Sequence, residues 1–223
     1  MEHPGPLVVN SLPQVWGVCG GSGSGKSTLV AMLVAALPPG SVAVLSCDAY
    51  YRDLAHRSPD ERAATNFDHP DSLDAELLGA HLDALRAGRA VEVPCYDFAN
   101  HRRHPHTERV QPAPLIVVEG ILIFAFPALV ARFDHAVFLD VPESVRLERR
   151  VSRDVVARGR TEASVRAQWA ATVSPMHSQF VQPGADLADE VVPYGSDWVD
   201  VVSGLASRAL RARGGPPSSG PAS

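Results

Sequence analysis

The segment "GGSGSGKST", residues 20–28, constrains this chain more than any other stretch. Gly20, Gly25, Lys26 and Ser27 stand at the spacing G-x-x-x-x-G-K-S. Glycines at this spacing let the backbone curl until its N–H groups converge on phosphate oxygens, and a following helix adds the positive end of its dipole. Gly21, Ser22, Gly23, Ser24, Gly25 and Thr28 are read as the rest of the cradle. Lys26 would reach the β- and γ-phosphates of a nucleoside triphosphate, and Ser27 would offer its hydroxyl to Mg²⁺. The flanks agree: "QVWGVC" before it reads as a strand and "KSTLVAMLVAAL" after it as a buried helix. A flexible Gly/Ser linker would have neither the Lys-Ser-Thr nor this frame.

Three further apolar runs, "SVAVLSC", "PLIVVEG" and "HAVFLD", are separated by helical patterns. Apolar strands alternating with helices predict a parallel sheet covered on both faces. Helices are expected over 71–88, with Leu73, Leu77, Leu78, Leu82 and Leu85 apolar, from Pro142 to Gly159, and over 198–212. Between Gly88 and Pro114 the pattern shortens to alternating runs, which predicts a β-hairpin. The expected architecture is α/β: a P-loop NTPase-type parallel sheet flanked by helices, with a β-hairpin insertion at about 89–113 and an Arg-rich lid at about 153–165. Residues 14–213 form the single domain, 1–13 a flexible N-terminus and 214–223 a disordered Pro/Gly/Ser tail.

The balance of charge narrows the partners. A net charge of −5 argues against nucleic-acid and anionic-membrane partners, which attract basic surfaces. No signal peptide is expected, and the most apolar segment is broken by Glu119, Gly120 and Pro127. Cys19, Cys47 and Cys95 read as reduced thiols, so a cytoplasmic setting is expected.

A P-loop does not by itself name an acceptor. No N-K-x-D or D-x-x-G segment of a GTPase stands in a usable position. Asp48, in "LSCDAYYRD", follows the second strand at the edge where ligands lie in open parallel sheets. It reads as a base for an acceptor hydroxyl or as a helix N-cap. Glu119 ends the third strand, where P-loop enzymes place a carboxylate in the Mg²⁺ shell. Arg146, Arg149, Arg150 and Arg153 share one helix face. They read as a solvated face paired with Glu143 and Glu148, or, with Arg158 and Arg160, as a lid over the transferring phosphoryl.

These segments are similar in order and spacing to the uridine/cytidine kinase family of P-loop nucleoside kinases. The resemblance spans roughly residues 15–200 and rests on "GGSGSGKST", "DAYYRD", "NFDHPDSLD", "VPCYDFANHRR", "VVEGIL", "RRVSRDVVARGR", "PMHSQFVQP" and "ADEVVPYGSD". It implies transfer of phosphate from ATP to the 5′-hydroxyl of uridine and cytidine. Asp48 is then the catalytic base, assisted by Lys26, Arg153 and Arg160. Asp68 and Arg150 would hold the ribose diol, with Tyr51, Gln168 and Arg160 also touching the nucleoside. Tyr96, Phe98 and His101 would enclose the base. Arg158 would meet the phosphates, Asp197 the ATP base, and Ser27 with Glu119 the metal. The family also implies a homo-tetramer. Trp169 and Cys47 depart from residues common in the family. A sugar-phosphate or pantothenate kinase, or a regulatory protein that binds ATP without turnover, is the alternative.

Overall fold

Side chains alternate sides along a strand, so a strand that is apolar at every position must be covered twice. The computed structural model, which describes residues 12–213, shows how that is done. Its strands are β1 (Gln14–Gly20), β2 (Val42–Ser46), β3 (Val91–Asp97), β4 (Arg102–Val110), β5 (Leu115–Gly120), β6 (His135–Asp140) and β7 (Glu190–Pro193). Five of them form one sheet in the order β2-β5-β1-β6-β7, every pairing parallel. Val15, Cys19, Ile116, Val118, Ala136 and Phe138 face one core; Trp16, Val18, Leu115, Val117, Val137 and Leu139 face the other.

Helices close both cores. They are α1 (Lys26–Ala36), α2 (Pro59–Ala63), α3 (Ala75–Arg86), α4 (Pro127–Val130), α5 (Glu143–Arg158), α6 (Glu162–Gln168), α7 (Ser174–Met176) and α8 (Trp198–Arg213). Leu29 and Leu33 of α1 meet Leu205 and Ala209 of α8 on one side, and Leu78, Leu82 and Leu85 of α3 fill the other. Helix α6 runs on through wide π-helical turns at Trp169–Val173 and His177–Val181 on either side of α7. No helix among the described residues is long and apolar enough to cross a membrane.

The P-loop frame, the four anticipated strands, the hairpin and the long α5 follow the sequence reading. Helix α3 differs: it starts at Ala75, where Asp74 Oδ1 accepts from Leu77 N at 3.1 Å. Leu73 lies outside it because it pairs as an extended bridge with Tyr51. Asp74 N donates to Tyr50 O at 2.8 Å and Arg52 N to Ser72 O at 2.8 Å, which uses the backbone a first helical turn would need. The edge strand β7 and the long helical run after Thr161 were not anticipated. The expectations for residues 1–11 and 214–223 lie outside the described residues.

Parallel pairing sends the carboxyl ends of the five strands to one edge of the sheet. There the P-loop follows β1, a tight 3₁₀ turn (Cys47–Tyr50) follows β2, and Glu119 ends β5. The hairpin β3–β4 is anchored over the same edge. Val91, Val93 and Tyr96 enter the core, while Arg103 donates from Nε to Tyr51 O (3.0 Å) and from Nη2 to Asp74 Oδ2 (3.1 Å).

Candidate active site

The chain leaves β1 and curls into α1. Gly23 (φ 81°) and Gly25 (φ 101°) adopt left-handed backbone that side chains disfavour, which lets the loop turn sharply into the helix. Lys26 is buried, with Nζ donating to Gly21 O at 3.1 Å. Ser27 Oγ donates to Glu119 Oε1 at 3.3 Å, and Ser46 Oγ to the same oxygen at 3.0 Å. Burial raises the Glu119 carboxyl above its usual range, and Asp48 raises it further while Lys26 pulls it down. Among the described residues no cluster of three His, Cys, Asp or Glu side chains forms a metal cage. A hydroxyl and one carboxylate beside a phosphate cradle suit Mg²⁺, which takes few protein oxygens and completes its shell with phosphate and water. A cation there would also offset the burial of Glu119.

Next to the loop lies a cleft of about 630 Å³. It collects Asp48, Tyr51, Asp68, Tyr96, Phe98, His101, Arg150, Arg153, Arg158, Arg160 and Gln168, which come from five separate stretches of sequence. Ser22 joins it to the P-loop: its hydroxyl accepts from Arg150 Nη1 at 3.1 Å. Arg150 Nη2 and Arg160 Nη1 both donate to Gln168 Oε1, at 3.1 and 2.6 Å. One wall is aromatic. Tyr51 and Tyr96 meet edge to face at 5.4 Å, Tyr96 and Phe98 at 5.3 Å, and His101 stacks on Phe67 at 4.8 Å. His101 takes φ 53°, and its pKa is lowered by burial and then by Arg62, so the ring is neutral at pH 7.

A buried carboxylate, Asp68, and the half-buried Asp48 set the polarity of the other walls. Burial raises the Asp68 carboxyl, with Arg150 lowering and Asp48 raising it. Arg150 in turn is lowered by burial. Asp68 and Arg150 both line the cleft with no direct ion pair between them; Arg150 gives its two Nη atoms to Ser22 and Gln168 and leaves Nε without a hydrogen-bond partner. Tyr51 is pushed well above the ordinary phenol range by burial first and by Asp48 next.

Asp48 sits in the 3₁₀ turn after β2, half-buried, and not at a helix N-cap. Asp197 is placed apart from the cleft: its Oδ1 accepts from Val199 N at 2.7 Å and caps α8. Its neighbours Ser196 and Trp198 line a second hollow of about 210 Å³ with Ser24, Arg149 and Tyr194. Glu143 and Glu148 do not serve the basic face of α5. Glu143 accepts from Trp169 Nε1 and Glu148 from Arg166 Nη2, each at 2.8 Å. Arg146 is no lid residue either; it is buried beside the P-loop with its guanidinium 5.4 Å from the Trp169 ring. Thr65, Phe67 and Ile121 line the cleft without having been singled out, although Phe67 immediately precedes Asp68.

The family model described as Phosphoribulokinase / Uridine kinase family matches residues 15–200. A protein from Chloroflexus aurantiacus named uridine kinase is 44% identical over 207 residues, covering 92% of this chain and 99% of its own. One of the same name from Shewanella pealeana is 42% identical over 203 residues, 89% of this chain and 94% of its own. The fold is also that of D-glycerate 3-kinase from Cryptococcus neoformans, with TM-score 0.61 and 16% identity, covering 82% of this chain and 86% of the other. With most of its length matched by the family model and by relatives well above 30% identity, the chain belongs to the phosphoribulokinase/uridine kinase family.

Proposed function

We propose that this protein is a uridine/cytidine kinase that moves the γ-phosphoryl of ATP to the 5′-hydroxyl of a pyrimidine ribonucleoside. The observation that carries the reading is the single cleft. It joins an aromatic wall, a buried carboxylate–guanidinium pair without direct contact, and Asp48 to the P-loop through Ser22. A sugar phosphate would call for more cations and no aromatic box at the acceptor end. The relatives named uridine kinase point to the same acceptor.

In this mechanism the base lies against Tyr96 and Phe98, and the neutral His101 donates to or accepts from its 4-substituent. That tolerance admits both uracil and cytosine. Asp68 and Arg150 hold the 2′- and 3′-hydroxyls. The 5′-oxygen attacks the γ-phosphorus, the bond to the β-bridging oxygen breaks, ADP leaves, and Asp48 takes the hydroxyl proton. Lys26, Arg153, Arg158 and Arg160 stabilise the charge that develops on the transferring group. Ser27 and Glu119 would hold Mg²⁺, which supplies charge neutralisation at the β- and γ-oxygens. Asp197 and the hollow beside Trp198 serve the donor base. A cytoplasmic setting and a homo-tetramer belong to the same reading.

The test is ATP consumption by the purified protein with uridine, cytidine, adenosine, ribulose 5-phosphate and pantothenate. Turnover confined to uridine and cytidine is expected. Turnover with another acceptor alone would overturn the assignment of the aromatic wall.

A further inference from the structure

Asp154 lies within the last turns of α5, and none of its surface reaches solvent. Its Oδ1 accepts from Arg153 Nε at 2.8 Å and lies 3.6 Å from Arg158 Nη1. Its Oδ2 faces Arg150 Nε at 3.6 Å and Arg160 Nη1 at 3.7 Å. The backbone adds to this: Asp154 O accepts from the N–H of Gly159 and, at 3.2 Å, from that of Arg160. All four arginines line the cleft, and none has another carboxylate within ion-pair distance among the described residues.

One buried charge therefore gathers four of opposite sign and leaves a positive surplus toward the cleft. Guanidinium groups this close repel one another, and each long side chain has many rotamers to lose on binding an anion. A common anchor orders them beforehand, so an incoming polyphosphate meets a set already in place.

We infer that Asp154 is the positioning residue for the phosphate-facing arginines, fixing Arg153, Arg158 and Arg160 through its two oxygens and its carbonyl. It touches no reactant; it acts through the groups that do. The inference rests on the phosphoryl-transfer reading above for the identity of the anion.

The test uses calorimetric binding of ATP·Mg to the full chain without any acceptor. Asp154→Asn keeps the size and an acceptor oxygen but removes the negative charge. Charge counting alone predicts tighter ATP binding to this variant. Positioning predicts binding weaker by roughly tenfold. It also predicts that Arg153→Gln, which weakens binding on its own, adds little in the Asp154→Asn background. In steady state the loss falls on kcat and the ATP KM, and the nucleoside KM rises as well, because Arg150 and Arg160 share Oδ2 of the same anchor. Unchanged or tighter ATP binding, or independent effects that multiply, would overturn the role. If circular dichroism shows Asp154→Asn unfolded, the cycle between Arg153→Gln and Arg158→Gln leaves the anchor in place. Both arginines share Oδ1, so their effects are expected to be non-additive, and additivity would overturn the role. With no acceptor in the binding cell, failure of uridine turnover would count against the kinase reading alone.

Discussion

Ser27 Oγ lies 3.3 Å from Glu119 Oε1, which ties the first turn of the P-loop helix to the end of β5. The charged form of this half-buried carboxylate is disfavoured by desolvation and is drawn back toward ionisation by Lys26. Glu119→Gln keeps the hydrogen bonds and removes the charge. The Mg²⁺ concentration for half-maximal rate should rise by about 10–100-fold, with the nucleoside KM little affected. A magnesium titration checks this, and an unchanged midpoint would take Glu119 out of the metal shell.

The space between Asp68 and Arg150 predicts discrimination at the sugar. A ribose diol satisfies both groups, whereas a 2′-deoxyribose leaves one buried polar group without a partner. Relative to uridine, 2′-deoxyuridine should lose on the order of 10²-fold or more in kcat/KM. Asp68→Asn should narrow that ratio. Equal use of the two nucleosides would place the diol elsewhere.

His101 combines a left-handed backbone with a ring stacked on Phe67. His101→Asn preserves a residue that tolerates this backbone and removes the ring nitrogen that reads the base. The uridine-to-cytidine ratio should shift severalfold while the ATP KM stays within about twofold. Competition assays with mixed nucleosides report the ratio directly; a ratio equal to wild type would show that another group reads the 4-position.

Stability should depend on acidity through His177. Burial, then the nearby Arg146, lowers its pKa from 6.5 to about 4, with Gln182 and Glu143 pulling it up and Lys26 pulling it down. The folded state thus favours the neutral ring, while the unfolded chain takes up a proton from near pH 6.5 downward. The contribution is complete above that pH and is lost as the pH falls toward 4, on the order of 2 kcal/mol once solvent screening of the partly exposed ring is allowed for. His177→Gln should flatten the slope of urea-derived stability between those limits. A slope identical to wild type would assign the acid sensitivity to other groups.

Local signals carried most of this structure. The P-loop, the four apolar strands and α5 are written in contiguous residues whose pattern needs no partner to interpret. Phe67 and Arg103 were not legible for a different reason. Each acts only through segments far away in sequence: Arg103 through Tyr51 and Asp74, Phe67 through His101. The arginine face of α5 is instructive. Its spacing was visible, yet Glu143 and Glu148 were the carboxylate partners considered, and these turn to Trp169 and Arg166 of the helical run after α5. Asp154, one turn from Arg150 and from Arg158, holds the arginines instead. Leu73 misled for a similar reason, since its helical spacing from Leu77 was overridden by the bridge to Tyr51.

The central claim is that the cleft presents a nucleoside 5′-hydroxyl to Asp48 beside the P-loop. Single-turnover transfer from ATP to uridine, compared between the wild type and Asp48→Asn, tests it most directly. The variant should form 5′-UMP slower by roughly 10²–10⁴-fold while binding uridine and ATP with near-normal affinity. Transfer at the wild-type rate would contradict the account by removing Asp48 from the chemistry.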